Sequence, residues 1–155
     1  MESMLYATWR MLLVDQGKSS VQISNTVTSD SPYRPLLVRH LSQLLGGRWD
    51  TDDVDTTVGK YWHRLYILRN RTVHGGYRPS WADGEAAYEA YNEMRDFVNG
   101  RLWKRYRTYP RTLLAKLGGE GLRQRGWNSP WMEDFITRVE SEPGPYYMPH
   151  DQRIS

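Results

Sequence analysis

The residue types best suited to chemistry in this chain sit close together. They are Arg69, Asn70 and His74, inside the run Leu65-Tyr66-Ile67-Leu68-Arg69-Asn70-Arg71-Thr72-Val73-His74-Gly75-Gly76. On a helix, Asn70 and His74 are four apart and share a face. Arg69 and His74 are five apart, about 140° around the axis at the helical period. They flank a polar edge rather than form a tight pair. His74 falls in the last turn before the glycines, where unpaired carbonyls favour an imidazolium. A readily protonated histidine beside arginines can bind phosphate or supply general acid catalysis near neutral pH. The same residues also fit a purely structural role, with His74 capping carbonyls and Arg69 and Arg71 solvated.

Other motifs fail on inspection. Gly17-Lys18-Ser19 echoes a phosphate loop, but Leu12 stands where that loop needs its first glycine. The acidic run Asp50, Asp52, Asp53 and Asp55 has Asp55 and Tyr61 where a calcium loop needs glycine and glutamate, and reads as a solvated helix start. The histidines, at 40, 63, 74 and 150, have no ligand spacing with one another or with acids, so neither a metal site nor a cofactor is expected. With no cysteine, a disulfide framework, a thiolate zinc site and a cysteine nucleophile are excluded.

These residues need a scaffold. A chain of 155 residues is one domain, or one domain with an appendage. Its longest apolar runs, Met11–Val14 and Leu36–Val38, fall far short of the roughly 20 residues of a membrane span. Met1-Glu2-Ser3-Met4 has an acid where a secretion signal needs a base. The expectation is a globular cytoplasmic protein without a membrane partner. The net charge of +3 is ordinary, but its distribution is not. Residues 101–125 hold eight bases against Glu120 alone; the remainder carries 13 bases and 17 acids. A basic appendage on a mildly acidic body points toward anionic partners.

Periodicity predicts a helix over Met4–Val14, then a loop over 18–32. A second helix runs from Pro35 to Leu45 and stops at Gly46-Gly47. A third starts near Asp52, and Val54, Val58, Tyr61, Leu65, Leu68 and Thr72 form its core stripe. Ser80 and Asp83 form the capping box of a fourth, which reaches about Arg105 with Ala87, Tyr91, Met94, Val98 and Trp103 inward. Thr112–Leu117 is a short helix closed by Gly118-Gly119. Ser129-Pro130 opens a helix to about Glu142, and 143–155 is an irregular tail. The fold class is all-α, with four main helices over 1–105 and a helical extension over 106–155.

The motif and its setting resemble those of HEPN domains. The residues that carry the resemblance are Arg69, Asn70 and His74, with Tyr66 three before the arginine and Gly75 after the histidine. The preceding helix ending in Leu44-Leu45-Gly46 and the helix that follows also fit. Glu2-Ser3-Met4-Leu5 looks like the end of the first helix of the Apea-like branch. The resemblance covers about residues 1–105 and implies an up-and-down four-helix bundle that dimerises with two motifs face to face. It further implies a metal-independent endoribonuclease, a toxin or an anti-phage effector, leaving a 2′,3′-cyclic phosphate and a 5′-hydroxyl. His74 would move or orient the 2′-hydroxyl proton, Arg69 would stabilise the phosphorane, and Asn70 would position either. An antitoxin or defence partner protein follows from the same reading. Some HEPN toxins carry a modifiable tyrosine two residues after the histidine; here Tyr77 lies three after, with an extra glycine between. Other HEPN domains are binding modules for RNA, a nucleotide or a protein, and a plain helical adaptor is the third reading.

The segment Arg101-Leu102-Trp103-Lys104-Arg105-Tyr106-Arg107-Thr108-Tyr109-Pro110-Arg111 interleaves bases with aromatics. Such a pattern can hold single-stranded RNA by phosphate contacts and stacking, with Arg71, Lys104, Arg105, Arg107 and Arg111 as the contacting cations. It also suits a helix end with solvated bases and inward tryptophans. Trp127 and Trp131 read as core or interface anchors.

Overall fold

A computed structural model describes residues 2–28, 30–145 and 147–152; the expectations for Met1, Ser29, Tyr146 and 153–155 lie outside them. Among the described residues every regular element is helical. The helices are α1 (Glu2–Asp15), α2 (Ser20–Thr26), α3 (residues 33–45), α4 (residues 57–75), α5 (Trp81–Lys104), α6 (Pro110–Gln124) and α7 (Pro130–Glu140). None is long and apolar enough to cross a membrane.

The chain separates into two compact units, and the boundary is not a single cut at 105. The first holds Pro32–Arg101, hence α3, α4 and most of α5. The second holds Glu2–Ser31 together with Leu102–Ser155. Helix α1 groups with the second unit. Its stripe of Leu5, Thr8, Trp9, Leu12 and Leu13 is buried, and it packs against α6. The carboxylate of Asp15, at its end, accepts the backbone amides of Arg111 (3.0 Å) and Thr112 (2.8 Å), the otherwise unpaired donors of the first turn of α6.

In the first unit, Leu36, Leu37, Leu41 and Leu45 of α3, Val58 and Tyr61 of α4, and Ala90, Met94 and Val98 of α5 form the core. Trp49 is buried edge-on to Phe97 at 5.1 Å, and Arg101 donates to the Leu45 carbonyl at 3.0 and 3.1 Å. Helices α3 and α4 each contain a π-helical stretch, Leu36–Leu41 and Trp62–Tyr66.

Four sequence expectations are corrected. The loop over 18–32 contains α2, because Ser19 and Gln22 form a complete capping box that outweighs the β-branched content. Helix α4 begins at Thr57 rather than near Asp52. The acids precede it in a turn: Asp50 accepts the amides of Asp52 and Asp53, Arg34 pairs with Asp52, and Arg48 pairs with Asp53 at 2.6 Å. The true cap is Thr56, whose Oγ1 accepts from the Gly59 amide at 3.0 Å. The long core stripe of α4 is interrupted: Val54 is exposed, Val58 and Tyr61 are buried, and Leu65, Leu68 and Thr72 are only partly covered. A π turn bonds i to i+5, so the residues beyond it leave the phase set by Val58 and Tyr61. Finally, Gly118 takes a left-handed φ of 69° as a stop should, yet the chain re-enters a helix and α6 continues to Gln124.

Candidate functional site

The motif lies on the last two turns of α4, and the π-helical stretch Trp62–Tyr66 stands directly before it. That stretch is braced by aromatics. Tyr66 stacks on Tyr33 at 4.9 Å and on Trp62 at 4.3 Å, while the hydroxyls of buried Tyr33 and Tyr61 are hydrogen-bonded to each other. π turns inside α-helices occur frequently at functional sites, because they re-aim the side chains that follow. The helix ends on Gly76, which takes φ 64°, ψ 15°, the left-handed cap a side chain would strain.

From Trp62 through Trp81 no residue is buried. Arg69 and His74 are exposed and Asn70 half-buried. Arg69 Nη1 donates to Asn70 Oδ1 at 2.9 Å, so the structure joins these two. His74 has no hydrogen bond or ion pair among the described residues and belongs to the last turn of the helix. The result is a fixed arginine–amide pair and a separate histidine on one short helical segment. Such a surface offers hydrogen-bond donors of the kind that bind a phosphodiester oxygen.

Arg71 is placed over the ring of Tyr77, 4.3 Å from its centroid. The Tyr77 hydroxyl donates to Asp83 at 2.9 Å. That bond and the Asp83 charge push the phenol above its ordinary value. Asp83 also accepts from the Ser80 amide (2.8 Å) and hydroxyl (2.8 Å), which hold its carboxyl below the usual range. This is the expected capping box of α5, with Tyr77 added to it. The extra role of Asp83 escaped the sequence reading, since only the turn at 76–80 brings Tyr77 back to it.

The remaining basic residues belong to the second unit. Lys104 and Arg105 are exposed without an ion pair among the described residues. Arg107 folds onto Tyr106, its Nε 3.0 Å from the phenol oxygen. The Arg111 side chain is about four-fifths covered, and its guanidinium forms a two-pronged pair with Glu142 at 2.6 and 2.8 Å. Trp127 packs on Trp103 (5.0 Å) and Tyr106 (4.4 Å), as an anchor should, and Trp131 stacks on Phe135 while remaining 44% exposed.

Among the described residues no group of three or more His, Asp or Glu side chains is placed to hold a metal ion. Compared with protein-family models, with curated proteins and with solved structures, the chain matches none.

Proposed function

We propose that this protein is a metal-independent endoribonuclease of HEPN type acting on single-stranded RNA as a toxin or anti-phage effector. The observation that carries the reading is the exposed end of α4, where Arg69 is bonded to Asn70 and His74 stands free among the described residues. In the reaction, the ribose 2′-oxygen attacks the adjacent phosphorus while the bond from phosphorus to the 5′-oxygen breaks. The products are a 2′,3′-cyclic phosphate and a 5′-hydroxyl, the departing 5′-oxygen gaining a proton as the 2′-hydroxyl loses one, so that no net proton is taken up. His74 takes or orients the 2′-hydroxyl proton. Arg69 offsets the charge that grows on the equatorial oxygens, the kind of contribution that is usually largest. Asn70 fixes the guanidinium through its side-chain carbonyl.

On an ideal helix Arg69 and His74 diverge by about 140°, so one copy does not converge them on a single phosphate. A homodimer with the motifs facing supplies the missing group from the second copy. The uncovered apolar side chains of this region support an interface there: Val73 is 59% exposed, Trp81 83% and Tyr88 68%. The same divergence favours a second reading, a non-catalytic module that binds RNA or a partner protein.

The test is incubation of the purified protein with mixed-sequence single-stranded RNA in EDTA, beside His74→Ala. Cleavage by the wild type alone, leaving cyclic phosphate ends, supports the nuclease. Intact RNA with both proteins folded and dimeric supports the binding module, whose RNA affinity survives His74→Ala and falls steeply with salt. Growth arrest on expression, relieved by Arg69→Ala, supports the toxin role.

A further inference from the structure

A separate cleft lies within the first unit, between α4 and α5. It encloses about 200 Å³ and is lined by His63, Arg64, Ile67, Leu68, Arg71, Asp83 and Ala86. Its lining combines the apolar Ile67, Leu68 and Ala86 with three nitrogen-bearing side chains and one acid. That acid is already committed: Asp83 accepts from Ser80 and Tyr77. His63 and Arg64 are exposed and make no hydrogen bond or ion pair among the described residues. The two arginines, Arg64 and Arg71, against the one carboxylate of Asp83 leave the cleft net positive.

The position is as telling as the charge. Ile67, Arg71 and His74 lie on one continuous α-helical stretch. Arg71 and His74 are three residues apart, and side chains at that spacing are surface neighbours. The cleft therefore opens about one helical turn, some 5.4 Å, before His74. We infer that this cleft is a nucleotide subsite next to the motif, holding one ribose-phosphate unit of a single-stranded RNA adjacent to the unit at Arg69, Asn70 and His74. Arg64 and Arg71 take the phosphate in forked hydrogen bonds, His63 donates a further one, and the sugar and base edge rest on Ile67, Leu68 and Ala86. The volume suits a single nucleotide fragment and is too small for a whole drug-sized ligand. The inference rests on RNA as the substrate of the motif, but not on catalysis.

The experiment uses the wild-type chain and a fluorescein-labelled 12-nucleotide 2′-O-methyl uridine oligomer, which lacks the attacking hydroxyl and stays whole. Binding is read by anisotropy across salt. Arg64→Gln should lower the slope of log affinity against log salt by about 0.7, one phosphate contact on a single strand. Between 0.1 and 1 M salt that is about a fivefold loss of the salt-sensitive part. Arg64→Lys should keep the slope, and Arg138→Gln, an equal charge change in the second unit, should leave it unchanged. An unaltered slope in Arg64→Gln, an equal drop in Arg138→Gln, or no binding by the wild type overturns the subsite. Failure of the nuclease reading looks different: unmodified RNA stays intact while the Arg64 dependence of binding persists.

Discussion

Gly59 is where a single methyl group should do the most damage. A Cβ built there would lie 1.9 Å from the Asp53 carbonyl oxygen and 3.0 Å from Thr56 Oγ1. The obstacle is backbone, so it cannot rotate aside; the carbonyl must retreat by about 1.1 Å to reach even the tightest tolerable contact of 3.0 Å. That retreat pulls on the turn at 50–56, whose Thr56 hydroxyl bonds the carbonyls of Asp50 and Asp53 and caps α4. Overpacking costs about 1–3 kcal/mol and a lost cap about 1 kcal/mol, offset by about 1 kcal/mol of helix propensity gained from alanine. Because backbone has to move, the upper end applies, and Gly59→Ala should cost about 3 kcal/mol. For a chain of this length that is a fall of about 6–12 °C in the thermal midpoint, read by circular dichroism. Gly84→Ala is the matched control: it sits in α5 with nothing within 4 Å of the added methyl. It should gain up to about 1 kcal/mol and raise the midpoint by about 2–4 °C. A midpoint within about 2 °C of wild type for Gly59→Ala would refute the packing argument.

Other outcomes follow from the same geometry. Arg111→Ala removes the two-pronged pair with the partly buried Glu142 and should lower stability by about 2–3 kcal/mol in urea denaturation; an unchanged midpoint would show that the pair adds nothing to stability. The Ser80 amide, the Ser80 hydroxyl and the Tyr77 hydroxyl hold Asp83 below its ordinary value. Its contribution to stability is therefore full above the unfolded value of about 3.9 and is lost as pH falls through the lowered one, so Asp83→Asn should flatten the acid limb of a stability–pH curve. Asp15 has the opposite sign. Burial raises its carboxyl above the ordinary value in spite of its bonds to Thr112 and Arg111, so this contribution favours folding at low pH and fades as pH rises through the raised value. Asp15→Asn should remove that dependence while keeping one acceptor for the α6 amides. In the proposed ribonuclease, Arg69→Ala should reduce cleavage about 10²- to 10³-fold, and a loss under tenfold would remove Arg69 from the charge-stabilising role.

The helical class, most helix ends and the capping box at Ser80 and Asp83 were legible from residue types, because caps, glycine stops and periodicity are local physics. So was the motif on the end of α4. The acidic turn was misread because an Asp-rich stretch satisfies both a helix start and a loop of bent amides, and only Thr56 decides between them. The stripe from Val54 to Thr72 was misread for a different reason. Its 3.6-residue period assumes an uninterrupted α-helix, and neither Trp62 nor Tyr66 announces a π turn by type.

By itself, then, the sequence determined the all-helical class, most of the helical segments, and the place of Arg69, Asn70 and His74 near the end of one of them. Tertiary structure decided the rest. It placed α1 against α6, since the amphipathic stripe of α1 fits equally well on any apolar partner until long-range packing selects one. It took Arg111 out of solvent by bringing Glu142 to it from 31 residues away. It turned Tyr77 and Asp83 into a pair, and it opened a basic cleft beside the motif from residues of α4 and α5. Local preference acts over a turn or two of chain, whereas burial, ion pairing and clefts depend on which distant surfaces meet.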